Sequence, residues 1–163
     1  MVWQETMNNK NVIVIIGPTA SGKSDLSIQV AKKLDGEVIS ADSSQVYVGL
    51  DIGSAKIKKE EMQSINHYMI DIKQATEDFC VAEFKELALK NIQDILNKNK
   101  TPIICGGTGL YVRALIDDYD FDFTPKSEEL RAKIEKQIEE NGIDFAYQML
   151  KSLSMSKASK INP

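Results

Sequence analysis

Residues 17–24 read GPTASGKS and constrain the fold of this chain more than any other stretch. They match G-x-x-x-x-G-K-[ST], the phosphate-binding loop (P-loop) that connects a β-strand to an α-helix. The apolar run 12–16 precedes the loop, and apolar residues at helical spacing follow it as far as Leu34, just before Gly36. We therefore expect a strand, a loop and a helix in that order, around a phosphate or diphosphate.

The residue types in the loop explain how it would hold such an anion. Gly17 and Gly22 let the backbone wrap closely, so that successive N–H groups point inward. The helix that follows adds the partial positive charge of its N-terminus. Lys23 supplies a mobile charge, and the Ser24 hydroxyl can ligate Mg²⁺. The candidate diphosphate-binding residues are Gly17, Pro18, Thr19, Ala20, Ser21, Gly22, Lys23 and Ser24.

Strand-like and helix-like segments alternate through the first two thirds of the chain. Further strands are expected at 37–40, 67–72 and 102–105, and an amphipathic helix at 81–97. This alternation predicts an α/β fold, a P-loop NTPase-like parallel sheet flanked by helices. We assign residues 1–11 to a leader and residues 12–116 to this core.

The character of the sequence changes near Asp117. An acidic and aromatic link leads to Ser127, which is expected to cap a helix that ends at Asn141 and Gly142, and a second helix is expected at 144–153. Two helices rich in surface residues do not complete an α/β core, so residues 117–163 are predicted to begin an all-helical subdomain. Because the sequence stops without a closing helix or strand, we expect it to be C-terminally truncated.

Composition limits the location and the partners of the protein. No apolar run approaches the roughly 18 residues needed to span a bilayer, so no membrane partner is expected. Cys80 and Cys105 lack metal-type spacing, and we interpret both as reduced core residues of a cytoplasmic protein. The net charge of −4 does not favour nucleic-acid binding, which normally needs a basic surface.

Two further motifs are expected beside the P-loop, because ligands of open α/β sheets bind beyond the carboxyl ends of the strands. Asp42 follows the second strand and would act there as a metal partner or a base, although an Asx turn is an equal alternative. Thr108 lies in the glycine turn after the fourth strand, where its hydroxyl suits a phosphate oxygen, with helix capping as the alternative. His67, the sole histidine, is interpreted as a strand residue.

These motifs together closely resemble the tRNA dimethylallyltransferase family, also called tRNA isopentenyltransferases. The segments that carry the resemblance are GPTASGKS at 17–24, DSSQVYVGLDIGSAK at 42–56, HYMIDI at 67–72 and GGTGLYVRAL at 106–115. The resemblance implies transfer of a dimethylallyl group from dimethylallyl diphosphate to N6 of adenosine 37 in tRNA, with Mg²⁺. It makes residues 117–163 part of a helical tRNA-binding insertion, and implies a cytoplasmic enzyme that we expect to be monomeric.

The resemblance also implies roles for individual residues. Asp42 would be the base toward the adenine amine, and Thr108 would contact substrate with it as a catalytic residue. Independently of the resemblance, the position of Arg113, four residues past Gly109 on a short helix, predicts that it adds positive charge at the diphosphate. The tRNA-binding candidates are Asp42, Ser43, Ser44, Gln45, Thr108 and Arg131. Arg131 has the alternative of an ion pair with Glu128 or Glu135 on its own helix.

Three alternatives stay open at the level of sequence. A P-loop small-molecule kinase would transfer a phosphoryl group of ATP, but it usually has an arginine-bearing lid, and this chain has two arginines in all. An adenylate isopentenyltransferase would use a free nucleotide and have less need of residues 117–163. An inactive fragment would bind ligand without turnover, and missing basic residues beyond Pro163 would account for the acidic balance.

Overall fold

The computed structural model describes residues 11–119 and 127–161. Strands and helices alternate along the first of these ranges, and the second contains helices. The strands are β1 (Ile13–Ile16), β2 (Gly36–Ser40), β3 (His67–Tyr68) and β4 (Thr101–Gly106). The helices are α1 (Lys23–Leu34), α2 (Val81–Asn97), α3 (Gly109–Ile116), α4 (Glu128–Asn141), α5 (Ile143–Leu153) and α6 (Met155–Ala158). None of these helices is long and apolar enough to cross a membrane.

The four strands form one parallel sheet in the order β1-β4-β2-β3. Strand β4 lies between β1 and β2, with Ile103 paired to Ile13 on one side and to Val38 on the other. Parallel neighbours need crossover connections, which the helices provide. The carboxyl ends of β1, β2 and β4 therefore meet at one edge of the sheet, and the predicted α/β fold is confirmed.

The core lies on both faces of the sheet because successive strand residues point to opposite sides. Val38 and Ile103 face α1, where they pack with Ala31. The next residue on each strand, Ile39 or Ile104, faces the other way into a larger cluster formed with α2 and α3. This cluster contains Phe84, Ala88, Ile92, Ile95, Leu96, Tyr111, Val112 and Leu115. Burial on both faces explains why these strands read as continuous apolar runs.

Three details differ from the sequence prediction. Helix α1 ends at Leu34 as expected, but Asp35, and not Gly36, adopts the left-handed conformation that closes it. The strand expected at 67–72 ends at Tyr68, because positive φ angles at Met69 and Asp71 turn the chain away from an extended path. Cys80 is exposed just before α2, so its assignment to the core is wrong, whereas Cys105 is buried as expected.

The described residues after 126 belong to a second compact unit, which extends from Asp122 to Pro163. The Ser127 hydroxyl accepts a hydrogen bond from Leu130 N at 3.1 Å, which confirms the expected N-cap of α4. Neither α4 nor α5 has a buried residue, and large apolar side chains of α5, such as Ile143 and Leu153, are exposed. The unit thus folds into helices with an incompletely covered apolar surface.

A buried carboxylate lies at the amino end of the sheet, opposite the edge where the strands end. Glu37 on β2 is 1% exposed, and each of its oxygens accepts two hydrogen bonds. Oε1 accepts from Asn66 Nδ2 at 2.8 Å and from Lys100 Nζ at 3.0 Å. Oε2 accepts from the Tyr68 hydroxyl at 2.6 Å and from Lys98 Nζ at 3.0 Å. Burial acts to raise the pKa of Glu37, but these hydrogen bonds outweigh it and lower the pKa to about 2.

This carboxylate is expected to make stability depend on pH. Because its folded pKa of about 2 lies below the ordinary value of 4.5, the stabilisation is complete above pH 4.5 and is lost as the pH falls toward 2. The shift corresponds to roughly 3–4 kcal/mol. Urea unfolding from pH 7 to 3 should show Glu37→Gln less stable than wild type at pH 7, with the difference shrinking in acid. Exposed Glu60 provides the control: Glu60→Gln should keep the wild-type pH dependence. A Glu37→Gln difference that does not change with pH would contradict this assignment.

Candidate active site

Three turns meet at the carboxyl edge of the sheet, and backbone hydrogen bonds join them. Gly17 N, at the start of the P-loop after β1, donates to Gly106 O at 3.4 Å. Ala41 N, just after β2, donates to Cys105 O at 2.8 Å, and Ala41 O accepts from Thr108 N at 3.1 Å. The structure therefore brings together the three motifs that the sequence predicted to meet there.

The P-loop wraps through left-handed backbone conformations at Ala20, with φ 62°, and at Gly22, with φ 80°. Gly22 tolerates this conformation without steric cost, which explains the glycine directly before α1. Lys23 Nζ donates to Pro18 O at 3.0 Å, across the loop. The ammonium is thereby held at the mouth of the loop, where an anion bound by the loop amides would lie.

Asp42 has one engaged and one free carboxylate oxygen. Its Oδ1 accepts from Ser44 N at 2.9 Å and from Gln45 N at 3.3 Å, which is an Asx-type turn. No residue in the described part of the chain forms a hydrogen bond to Oδ2. The two interpretations offered by the sequence are therefore compatible, because the turn fixes the carboxylate through one oxygen and leaves the other available.

Thr108 is bonded to the same turn. Its Oγ1 accepts from Ser43 N at 3.0 Å and donates to Ser43 Oγ at 3.3 Å. Thr108 is also the residue that precedes α3, but its side chain does not cap that helix. The hydroxyl thus links the glycine turn after β4 to the residue next to Asp42.

A cleft of about 310 Å³ lies between the P-loop and the segment that follows β2. Asp42 and Gln45 face Lys23 and Ser24 across this cleft. Its lining residues are Thr19, Ala20, Ser21, Gly22, Lys23, Ser24, Asp25, Asp42, Gln45, Ser54 and Ala55. The volume is at the lower end of the range typical of small-molecule sites. Two of the loop candidates, Gly17 and Pro18, do not line it.

Several candidates from the sequence are outside this cleft. Ser43, Ser44 and Thr108 border it through their hydrogen bonds to the Asp42 turn, but their side chains do not line it. Arg113 on α3 is 70% exposed and forms an ion pair with Asp117 at 3.2 Å. Arg131, in the second unit, pairs with Glu135 at 3.1 Å, as its structural alternative anticipated. The roles assigned to these residues stay predictions.

His67 lies on β3, and its contacts indicate a structural role. Its Nδ1 is 2.9 Å from Ile65 O, and since a carbonyl only accepts, the nitrogen is the donor. Burial lowers the pKa of His67, which keeps the ring neutral at pH 7. Its neutral ring and satisfied nitrogen agree with its interpretation as a strand residue.

The sequence did not single out three lining residues, Asp25, Ser54 and Ala55. Asp25 follows the P-loop in the first turn of α1, so the P-loop motif could have predicted that it lies close to the cleft. Ser54 and Ala55 lie at the far end of the segment 42–56, where no spacing rule places them beside the P-loop. The Gln45 side chain explains their position, because its Nε2 donates to Ser54 O at 3.3 Å.

The fold and the cleft define an α/β protein of the P-loop class, with a carboxylate held across the cleft from the loop. Residues 45–163 match the family model described as IPP transferase, and the chain belongs to this family.

Curated relatives and solved structures agree with this assignment. A tRNA dimethylallyltransferase of Acetivibrio thermocellus is 51% identical over 93% of this chain and 49% of its own length. The full-length tRNA isopentenylpyrophosphate transferase of Bacillus halodurans matches with a TM-score of 0.69 and 41% identity, over 95% of this chain and 51% of that protein. A eukaryotic dimethylallyltransferase acting on tRNA matches with a TM-score of 0.83 and 33% identity, over 95% of this chain and 38% of that chain. The chain thus spans about half the length of the curated relatives it matches.

Proposed function

We propose that the complete protein transfers a dimethylallyl group from dimethylallyl diphosphate to N6 of adenosine 37 in tRNA. The observation that carries the proposal is that Asp42 and the P-loop line one cleft, and that within the described chain Oδ2 of Asp42 forms no hydrogen bond. A diphosphate in the loop would direct its organic group toward Asp42. The names of the relatives supply the substrate class, since both curated and solved relatives are tRNA-modifying transferases.

The reaction places two demands on these residues. The adenine amine is a weak nucleophile because its lone pair is delocalised into the ring. Asp42 Oδ2 accepts the N6 proton as nitrogen bonds to the first carbon of the dimethylallyl group. The bond from that carbon to the diphosphate oxygen breaks, and the electron pair leaves with the diphosphate. The P-loop amides and Lys23 stabilise the charge that develops there.

Mg²⁺ fits the oxygen donors of this cleft. Magnesium is usually bound by one or two protein oxygens together with substrate phosphates and water. The Ser24 hydroxyl and the Asp42 carboxylate present such oxygens at one cleft, and we assign Ser24 as the protein ligand. Among the described residues, no three His, Cys, Asp or Glu side chains form a metal cage. Bound magnesium would neutralise charge on the diphosphate.

The base has to leave its stack to reach this cleft, at a cost of about a few kcal/mol. We propose that residues 117–163 are part of a helical insertion that holds the anticodon loop and offsets this cost, with Arg131 as one contact. The described residues of this range form helices in a separate compact unit, which agrees with this proposal. We also propose a cytoplasmic location, which agrees with two free cysteines, and a monomeric state.

Ligand preference tests the proposed function. Calorimetry on residues 1–163 should show dimethylallyl diphosphate binding more tightly than ATP, with Mg²⁺ strengthening the binding. This preference is expected because the proposed reaction uses the P-loop for a prenyl diphosphate, in one cleft with the Asp42 carboxylate, and not for the triphosphate of ATP. Lys23→Ala should weaken dimethylallyl diphosphate and pyrophosphate alike, and Lys33→Ala, on the exposed side of the last turn of α1, should weaken neither. ATP preferred by tenfold, about 1.4 kcal/mol, would favour a kinase and overturn the proposal.

A further inference from the structure

Lys56 carries a buried charge in the segment 42–56. Its side chain is 4% exposed, whereas Lys58 and Lys59 nearby are exposed. The ammonium lies 2.8 Å from Asp51 Oδ1, 2.5 Å from Asp71 Oδ1 and 2.7 Å from Tyr47 O. Three acceptors match the three donors of an ammonium group, so Lys56 is fully satisfied within the protein.

The three acceptors come from three different parts of the chain. Tyr47 lies in the turn that begins at Asp42, Asp51 lies in the middle of the segment, and Asp71 follows β3. Backbone hydrogen bonds run beside the same junction: Asp71 N donates to Gln45 O at 3.1 Å, and Val48 N to Lys73 O at 2.9 Å. Lys56 therefore ties the end of the segment both to its own beginning and to the chain after β3.

This junction reaches the cleft through neighbouring residues. Lys56 itself does not line the cleft, but Ser54 and Ala55 directly before it do. Gln45 connects the two ends of the segment: its Nε2 donates to Ser54 O at 3.3 Å, and its backbone N donates to Asp42 Oδ1 at 3.3 Å. Displacement of residues 54–56 would thus be transmitted to the carboxylate of Asp42.

We propose that Lys56 is a positioning residue for Asp42, with Asp51 and Asp71 as its anchors; this role rests on the proposed transfer reaction. Lys56 fixes the wall of the cleft that faces the P-loop and so fixes the direction of Asp42 Oδ2 toward the amine. Because it touches neither the P-loop nor the cleft, its removal affects orientation of the base and leaves diphosphate binding intact.

Amide hydrogen exchange on residues 1–163 tests the structural part of this proposal. The amides of Ser44 and Gln45 donate to Asp42 Oδ1, so their protection reports directly on the placement of that carboxylate. Lys56→Met keeps the unbranched stem and removes the charge. It should speed exchange of these two amides about tenfold or more, while the β4 amides of Ile103 and Ile104 change less than twofold. Lys58→Met is the matched control and should leave both sets unchanged.

Asp71→Asn provides a second, milder variant in case Lys56→Met does not fold. Asp71 has φ 53°, a conformation that asparagine tolerates, and its side chain is about half exposed. Asp71→Asn should also speed exchange of the Ser44 and Gln45 amides, by a smaller factor than Lys56→Met does. Unchanged exchange at these amides, or equal acceleration at β4, would show that Lys56 contributes only to global stability and would overturn the proposal.

Kinetics separates this inference from the proposed function. In a form of the protein that catalyses dimethylallyl transfer, Lys56→Met should lower kcat about tenfold or more. KM for dimethylallyl diphosphate should stay within twofold of wild type. A rise in KM with unchanged kcat would overturn the positioning role. If dimethylallyl transfer is absent in every form of the protein while the exchange result holds, the proposed reaction fails. The link from Lys56 to the Asp42 turn then stands as a structural feature.

Discussion

Asp42→Asn should lower dimethylallyl transfer by about 10²–10⁴-fold while leaving diphosphate affinity within twofold of wild type. Asparagine is nearly isosteric, and its carbonyl oxygen still accepts the Ser44 and Gln45 amides, so the turn is preserved. The oxygen that changes is Oδ2, which becomes an amide nitrogen and cannot accept a proton. The P-loop on the opposite side of the cleft is untouched.

The experiment compares single-turnover transfer with calorimetric binding of dimethylallyl diphosphate. If residues 1–163 show no transfer alone, they can be joined to the remaining half of the Acetivibrio thermocellus relative, which matches this chain at 51% identity. Asp25→Asn is the matched control, since Asp25 also lines the cleft but lies beside the loop on α1. It should change transfer far less than Asp42→Asn. Near-wild-type turnover of Asp42→Asn would show that Asp42 forms the turn and does not act as the base.

The features that the sequence predicted well are local. Apolar spacing predicted a helix at 81–97, and the structure has α2 at Val81–Asn97. The P-loop pattern located β1, α1 and the glycine at the start of the helix. Residues within a few positions of one another decide each of these elements, so a single sequence carries the information. The meeting of the three turns also followed, because parallel strands end at the same edge.

The features that the sequence could not predict depend on distant partners. Lys56 is close in sequence to two other lysines, Lys58 and Lys59, yet it alone is buried, in an ion pair with Asp71, which follows β3. Glu37 read as an ordinary strand residue, although four donors from the chain around β3 and β4 surround it. Charged residues are almost never fully buried without a partner, so neither burial is visible before the partners are known.

Gly106→Ala should destabilise the folded chain by about 4 kcal/mol or more, the largest effect expected for alanine at any of its glycines. A Cβ at Gly106 would lie 2.1 Å from Ala41 O and 2.4 Å from Ala41 C. Both contacts are with backbone atoms, which cannot rotate away as a side chain end can. Ala41 is fully buried, and its N and O form hydrogen bonds with Cys105 and Thr108. It therefore cannot move away from the added Cβ.

Comparison of the urea unfolding of Gly106→Ala with that of Gly109→Ala isolates the effect of the contact with the Ala41 backbone. Gly109 is three residues further on, at the start of α3, and a Cβ there would meet nothing within 4 Å. Gly109→Ala should therefore unfold at the wild-type midpoint or slightly above it, because alanine favours helix over glycine by about 1 kcal/mol. A loss below 1 kcal/mol for Gly106→Ala would mean that β2 and β4 can separate at this point. In that case the turn that carries Asp42 would not be rigidly joined to the turn that carries Thr108, and the geometry of the cleft would not be fixed by the sheet.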